Sequence, residues 1–329
     1  MSAAITATVF IPTYNGEPYL KEILEKVFTQ KTDFAYEVLI IDSGSKDGTL
    51  GIIETFKKKH PKLRLHIIPN TEYGHGKTRN LAAQMANGDI VVYLSHDASP
   101  SHELWLHEMV RPFEINDKIV GVMGKQIPRT HCIPMLKSEI RGVFAGFGPD
   151  FGTTIFYKDD FVQSQGVYDA ISFYSDANSA ARKSYLLGQI PYQDVAYAED
   201  QLFGRDIIEA GLYKVYAPRG SVVHSNDLRL KEYRYRMFDE TLALRTIGLP
   251  VGVPSRKTIT KMLVRGILRD TRNIIRDHDY TTKRKLYWLA VNPLFHVEKW
   301  RGIRLGATAE LTDKDAHQKY SLEKLRANK

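Results

Sequence analysis

Residues 36–49 read YEVLIIDSGSKDGT, and this stretch decides the fold. Val38 to Ile41 form an unbroken apolar run, the pattern of a strand covered on both faces. Asp42 ends the run, Ser43, Gly44 and Ser45 turn the chain, and Asp47, Gly48 and Thr49 open a helix. In that helix Leu50, Ile52, Ile53 and Phe56 keep the 3.6-residue period, and Lys57, Lys58 and Lys59 suit its negative end. Working outward, further β-branched runs occupy Thr8–Pro12, Leu65–Pro69, Ile90–Ser95 and Ile119–Met123. Tyr19, Leu20, Ile23, Leu24, Val27 and Phe28 mark the helix between the first two strands. Strand and helix alternating at this spacing predict an α/β fold, a mostly parallel sheet with helices on both faces. Ligands then belong at the carboxyl ends of the strands, near a topological switch point.

The chain has 329 residues, 43% hydrophobic and 26% charged, the balance of a globular protein large enough for a catalytic domain with an accessory region. Cys132 is the single cysteine, which excludes an internal disulfide framework and a cysteine-rich metal site and fits a reducing compartment. The first residues run into a strand without a secretory leader's pattern, so none is expected. No run reaches the length of a spanning helix. The net charge of +8 is unevenly spread. Residues 228–329 hold 23 basic and 11 acidic side chains, and the remainder 23 and 27. With Gly248–Pro254 as punctuation, this places a catalytic domain at 1–227 and a basic helical region at 228–329.

The strand ends carry polar residues where the fold predicts a ligand: Pro12, Thr13, Tyr14 and Asn15 after the first, Asp42 and Ser43 after the second. Asp42 can accept from a base or a ribose hydroxyl, or cap the next helix. The fourth strand ends in Ser95, His96 and Asp97. A carboxylate at Asp97 suits Mg²⁺ or Mn²⁺, hard ions that prefer oxygen and bridge to phosphates; a helix cap is the other reading. Gly74–Asn80 (GHGKTRN) joins glycines to Lys77 and Arg79, charges suited to a diphosphate at a helix N-terminus. Gly142, Gly146, Gly148 and Gly152 alternate with Phe144, Phe147 and Phe151, which reads equally as an acceptor loop or a core turn.

Taken in order, Phe10–Asn15 (FIPTYN), Ile41–Thr49 (IDSGSKDGT), Gly74–Asn80, Ser95–Pro100 (SHDASP) and Glu199–Asp200 resemble glycosyltransferase family 2 in its inverting form. The resemblance spans residues 6–226 and implies a GT-A-type, Rossmann-like domain. The HG-x-TRN and DAxP variants resemble the bacterial rhamnosyltransferase branch that assembles cell-surface polysaccharides. It implies a nucleotide-sugar donor, dTDP-L-rhamnose in that branch, and a saccharide or lipid-linked acceptor at the inner face of the plasma membrane. The same fold with a UDP-hexose donor, or a non-catalytic nucleotide-binding scaffold, is the alternative. By resemblance Asp42 recognises the nucleotide, Asp97 holds the metal and Asp200 is the general base. Ser95 replaces the first acidic residue of the metal motif, which leaves Asp97 and the donor's phosphates, with His224 as a further ligand.

From Ile259 to Ile275 apolar residues alternate with Lys261, Arg265, Arg269, Arg272 and Arg276. On a helix these five basic groups fall within an arc of roughly 80°. The apolar face can pack on protein, join copies into a homo-oligomer, or lie in a membrane interface beside anionic head groups. Nucleic acid is not an expected partner, because the first part is acidic and no known nucleic-acid module is present.

Overall fold

A computed structural model describes residues 4–160, 164–226, 228–312, 314–322 and 325. The chain divides into two compact units, residues 1–127 with 142–224, and residues 128–141 with 225–329. Asp227, at the boundary read from the sequence, lies outside the described residues.

The first unit is built on nine strands among the described residues. They are β1 (Ile5–Thr13), β2 (Ala35–Asp42), β3 (Leu63–Ile67), β4 (Ile90–Leu94), β5 (Ser99–Pro100), β6 (Ile119–Ile127), β7 (Thr154–Phe156), β8 (Asn178–Arg182) and β9 (Tyr213–Val223). Their order is β3-β2-β1-β4-β8-β6-β9-β5, with β7 on β9. The sheet is parallel from β3 to β4 and between β6 and β9, and β8 runs antiparallel between β4 and β6. The chain leaves β1 toward β2 and returns on its other side as β4, so the switch point lies at the ends of β1 and β4. Around the sheet run α1 (Glu17–Phe28), α2 (Thr49–Lys59), α3 (His75–Met85), α4 (Trp105–Val110), the end of α5 (Pro134–Ala145), α6 (Gln165–Ser172), α7 (Lys183–Leu186) and α8 (Glu199–Glu209). Val9, Ile11, Val38, Ile40 and Val92 of the central strands are buried with Leu20, Ile23, Leu24 and Val27 of α1. The periodic helix positions read from the sequence are thus the ones that cover the sheet.

At the amino ends of the strands, Glu37 is 4% exposed. Its carboxylate accepts from Thr8 Oγ1 (2.9 Å), Arg64 Nη1 (3.1 Å), and the backbone (2.9 Å) and side-chain (2.7 Å) nitrogens of Asn87. Burial opposes its ionisation, but Asn87, Thr8 and Arg64 overcome this and hold Glu37 below its ordinary pKa. One carboxylate thereby ties β1, β2, β3 and the loop before β4.

The second unit is helical: the start of α5, α9 (Leu230–Thr246), α10 (Arg256–Arg276), α11 (Thr282–Thr308) and α12 (Lys314–Tyr320). Its core gathers Ile133, Met135, Tyr233, Ile274, Trp288 and Phe295. Gly302 of α11 faces the backbone carbonyl of Arg234 in α9, where any Cβ would collide, and a Cβ at Gly306 would stand 2.8 Å from the carbonyl of Phe238. Helix α10 starts on a Ser255 cap, Oγ accepting from Thr258 N at 3.1 Å. Ile274 is buried, but Met262, Leu268 and Ile275 stand exposed among the basic side chains, so the apolar face is narrower than the sequence suggests. No helix among the described residues is long and apolar enough to cross a membrane.

Two outcomes follow. Glu37→Gln lowers stability near neutral pH by ~1–3 kcal/mol. A depressed folded-state pKa adds stability above the ordinary glutamate range, lost as pH falls through the folded value. The gap to wild type in thermal melts therefore narrows in acid. Gly302→Ala forces α11 away from α9 and costs ~1–3 kcal/mol, read as a lower melting temperature of the helical unit.

Candidate active site

The loops after β1 and β2 are laced together before any ligand is considered. Asn15 N donates to Ser45 Oγ (2.8 Å), Lys46 N to Asn15 Oδ1 (2.8 Å), Gly16 N to Thr49 Oγ1 (2.8 Å) and Gly48 N to Glu17 Oε2 (2.9 Å). Asn15 takes φ +50°, a left-handed conformation that asparagine tolerates. Asp42 is fully buried; Oδ1 accepts from Gly44 N (3.0 Å) and Ser45 N (2.8 Å), and Oδ2 from Thr13 Oγ1 (2.7 Å) and Ser45 Oγ (2.6 Å). Four donors use the four lone-pair sites of a carboxylate. Its side chain therefore organises the two loops at which the sequence places a nucleotide contact. Thr13 and Ser43 are buried beside it, Pro12 is half-buried, and Tyr14 (41% exposed) and Asn15 face outward.

Helix α3 carries the GHGKTRN stretch. Gly76 lies against the carbonyl of Gln193, where a Cβ would collide, so this glycine admits a neighbouring chain segment and not a ligand. Asn80 pairs with the backbone of Tyr192, Nδ2 to the carbonyl at 2.8 Å and Oδ1 from the amide at 2.9 Å. Arg79 turns inward, Nε 2.8 Å from Asp176 Oδ2 and Nη1 paired with Glu199. Both faces of its fork serve buried carboxylates, at the helix start where the sequence places a diphosphate. Lys77, one turn face away, is exposed.

Asp176 was missed by sequence reasoning. It is 2% exposed and accepts from Ser179 Oγ (2.5 Å) and Tyr192 OH (2.9 Å). Burial raises its pKa and Arg79 counters the rise. The signal was present as a lone acid among the small and aromatic residues Phe173–Ala181. Its backbone N–H donates to Asp200 Oδ2 at 3.3 Å. Asp200 sits in the first turn of α8 and keeps partial access to solvent. Burial first, then the charges of Glu199 and Asp176, push its pKa up to about 7. The turn that presents it is strained: Ala198, just before α8, takes φ +65°.

Ser95, His96 and Asp97 are half-buried after β4. Ser95 N donates to the carbonyl of Ala177 (3.2 Å), next in sequence to Asp176. His96 packs over Gly16, whose added Cβ would stand 3.4 Å from the ring. Asp97 Oδ1 lies 3.4 Å from His224 Nε2. The other ring nitrogen of His224, Nδ1, lies 2.9 Å from Gln126 Oε1, while Gln126 Nε2 donates to Ser175 Oγ at 3.0 Å. A continuous path of contacts therefore joins Asp97, His224, Gln126, Ser175, Asp176 and Asp200. Asp97 and His224 are close enough to share one divalent ion, and Gln126 orients the imidazole as partners of metal-binding histidines do. No cluster of three or more acidic, histidine or cysteine side chains suited to a metal occurs among the described residues. A hard cation here would take its remaining ligands from phosphate oxygens or water, which fits Mg²⁺ or Mn²⁺.

In the glycine and phenylalanine segment, Phe144 and Phe147 are buried against Tyr216, while Phe151 is 89% exposed. Lys125 is held by both oxygens of Asp150 at 2.7 Å.

A family model described as glycosyl transferase family 2 matches residues 8–187. Among curated relatives, the O-antigen chain rhamnosyltransferase WbaN of Salmonella anatum is 30% identical over 236 residues, 70% of each chain. The O-antigen chain rhamnosyltransferase RfbN of Salmonella typhimurium is 28% identical over 235 residues, again 70% of each. Of solved structures, the mannosyltransferase PcManGT from Pyrobaculum calidifontis, in complex with GDP-Man and Mn²⁺, aligns with a TM-score of 0.50 at 19% identity over 100% of this chain and 82% of that one. S. aureus TarS 1-349 in complex with UDP aligns with a TM-score of 0.50 at 18% identity, over 92% and 90%. These structural likenesses establish the GT-A type of fold. With the family model covering more than half of its residues, the chain belongs to glycosyltransferase family 2.

Proposed function

We propose that this protein is an inverting, metal-assisted glycosyltransferase that moves L-rhamnose from dTDP-L-rhamnose to a saccharide or lipid-linked saccharide of the cell surface. The single observation that supports the chemistry is the contact path from the Asp97–His224 pair, suited to a cation, to the raised carboxylate of Asp200. The relatives named as rhamnosyltransferases support the choice of sugar. Exposed basic and apolar side chains on α10 support contact with the inner membrane surface as part of this reading.

In the mechanism, Asp200 accepts the proton of the acceptor hydroxyl as its oxygen bonds to the anomeric carbon. The bond from that carbon to the diphosphate breaks on the opposite face, and its electron pair leaves with the nucleoside diphosphate. A raised pKa makes Asp200 a better base than an ordinary aspartate, provided it is ionised. Asp176 and the Arg79–Glu199 pair hold its turn in place, and Lys77 stands where it can meet a phosphate. Asp97 and His224 would hold the divalent ion, which supplies positive charge to the departing diphosphate.

Asp200→Asn is expected to reduce kcat by ~10²–10⁴-fold while donor affinity stays within a few-fold; near-normal turnover would remove Asp200 as the base. In wild type, kcat should rise with pH through about 7 as Asp200 loses its proton. Glu199→Gln, which removes a like charge, should move that limb to lower pH. Donor binding by titration should depend on added Mn²⁺ in wild type and lose most of that dependence in Asp97→Asn. A panel of dTDP- and UDP-sugars in the same assay tests the donor, and preference for a UDP-hexose would overturn rhamnose.

A further inference from the structure

The helical unit contains a cavity of about 430 Å³, within the size range of small-molecule sites. Arg265 and Arg269 of α10, His296, Lys299 and Trp300 of α11, and Glu139 of α5 line it. Gly266 forms its floor, since a Cβ there would stand 2.6 Å from His296 Cε1.

The charges at the base are already matched. Asp270, fully buried, lies 2.8 Å from His296 Nε2 and accepts from Arg269 Nε at 2.8 Å and Asn292 Nδ2 at 3.4 Å. Glu139 is likewise taken, by Lys299 and by Tyr233 OH at 3.1 Å. One positive charge is left over, and a second guanidinium is only partly used. Arg265 has no acidic or hydrogen-bonding partner among the described residues, and Arg269 spends only Nε on Asp270, which leaves its Nη groups. The two stand four residues apart on one helix face, where like charges repel and cost helix stability. Lys261, Arg265 and Arg269 continue that spacing, so α10 carries a repulsion that a bound anion would relieve. Trp300, partly exposed in the same cavity, offers a flat apolar wall.

We propose that this cavity binds a phosphate monoester or diphosphate, with Arg265 and Arg269 gripping the phosphate oxygens and Trp300 covering the group attached to them. Guanidinium forks match phosphate in geometry and keep their charge at every physiological pH. None of its lining residues is among the sugar-transfer residues, and the proposal does not depend on their assignment. Its ligand is either a soluble phosphate compound or a lipid head group, since Met262 (42% exposed), Val264 (49%) and Leu268 (65%) form an apolar shoulder on the same helix.

Titration of the full chain with inorganic diphosphate in excess EDTA tests the proposal. Wild type binds, Arg265→Ala weakens binding about tenfold, equivalent to ~1.4 kcal/mol, and Lys58→Ala, an exposed cation of α2, leaves it unchanged. Arg265 is exposed and unpaired, so its removal spares the fold, and matched thermal melts check this. In the second arm, vesicles of phosphatidylcholine carry either phosphatidic acid or phosphatidylserine at equal surface charge. A preference for phosphatidic acid that Arg265→Ala erases identifies a lipid source; equal binding to both, with the diphosphate titration still sensitive to Arg265, identifies a soluble one. The proposal is overturned if Arg265→Ala matches wild type in both arms, if Lys58→Ala weakens the diphosphate binding as much as Arg265→Ala, or if neither probe binds.

Discussion

The candidate active site depends on one buried cation. Arg79 brings Asp176 and Glu199 together, from segments 97 and 120 positions away in the chain, and without it three acids would crowd one another out of water. Burial disfavours the guanidinium's charge, yet the two carboxylates hold it more firmly protonated than usual. Such an arrangement adds little net stability when intact, and removing one partner costs ~3–5 kcal/mol. What it contributes is position: α3, the segment before β8 and the start of α8 are fixed to one another through charge. The tyrosines Tyr93, Tyr174 and Tyr192 surround it, all raised by burial and so kept as neutral hydroxyls.

Much of the fold was legible in the sequence because its first half is local. The runs at Val38–Ile41 and Ile90–Leu94 are apolar without interruption, and the helices between them keep their period. The antiparallel strand β8 was not legible. Its residues Asn178–Arg182 carry no β-branched side chain, and they form a strand because small residues fit between β4 and β6. Asn178 also receives Trp105 Nε1 at 2.9 Å and donates to the carbonyl of Gly220 at 2.7 Å. No window of sequence contains those partners.

The site was legible by residue type and less so by task. Asp97 and His224 follow strands and Asp200 opens a helix, and one path of contacts joins the three. Asp42 and Arg79 are read from the sequence as ligand contacts, and each has protein partners in the fold. A carboxylate in a turn and an arginine on a helix look the same in sequence whether their partner is a ligand or a neighbouring loop. Only the tertiary count of donors and acceptors separates the two cases. Asp176 carried only a faint signal, a lone acid among small and aromatic residues, and its charged neighbours Arg79 and Glu199 lie far off in the chain.

Ala198 carries the last consequence. A methyl-bearing residue at φ +65° is disfavoured by ~1–2 kcal/mol, and the turn persists because Glu199 is anchored to Arg79 while Leu202 N donates back to the Ala198 carbonyl at 3.2 Å. Asp200 is thereby suspended under tension, as a string is between two pegs. Its stiffness comes from opposed pulls at its two ends, so slackening either end would detune the carboxylate without touching it.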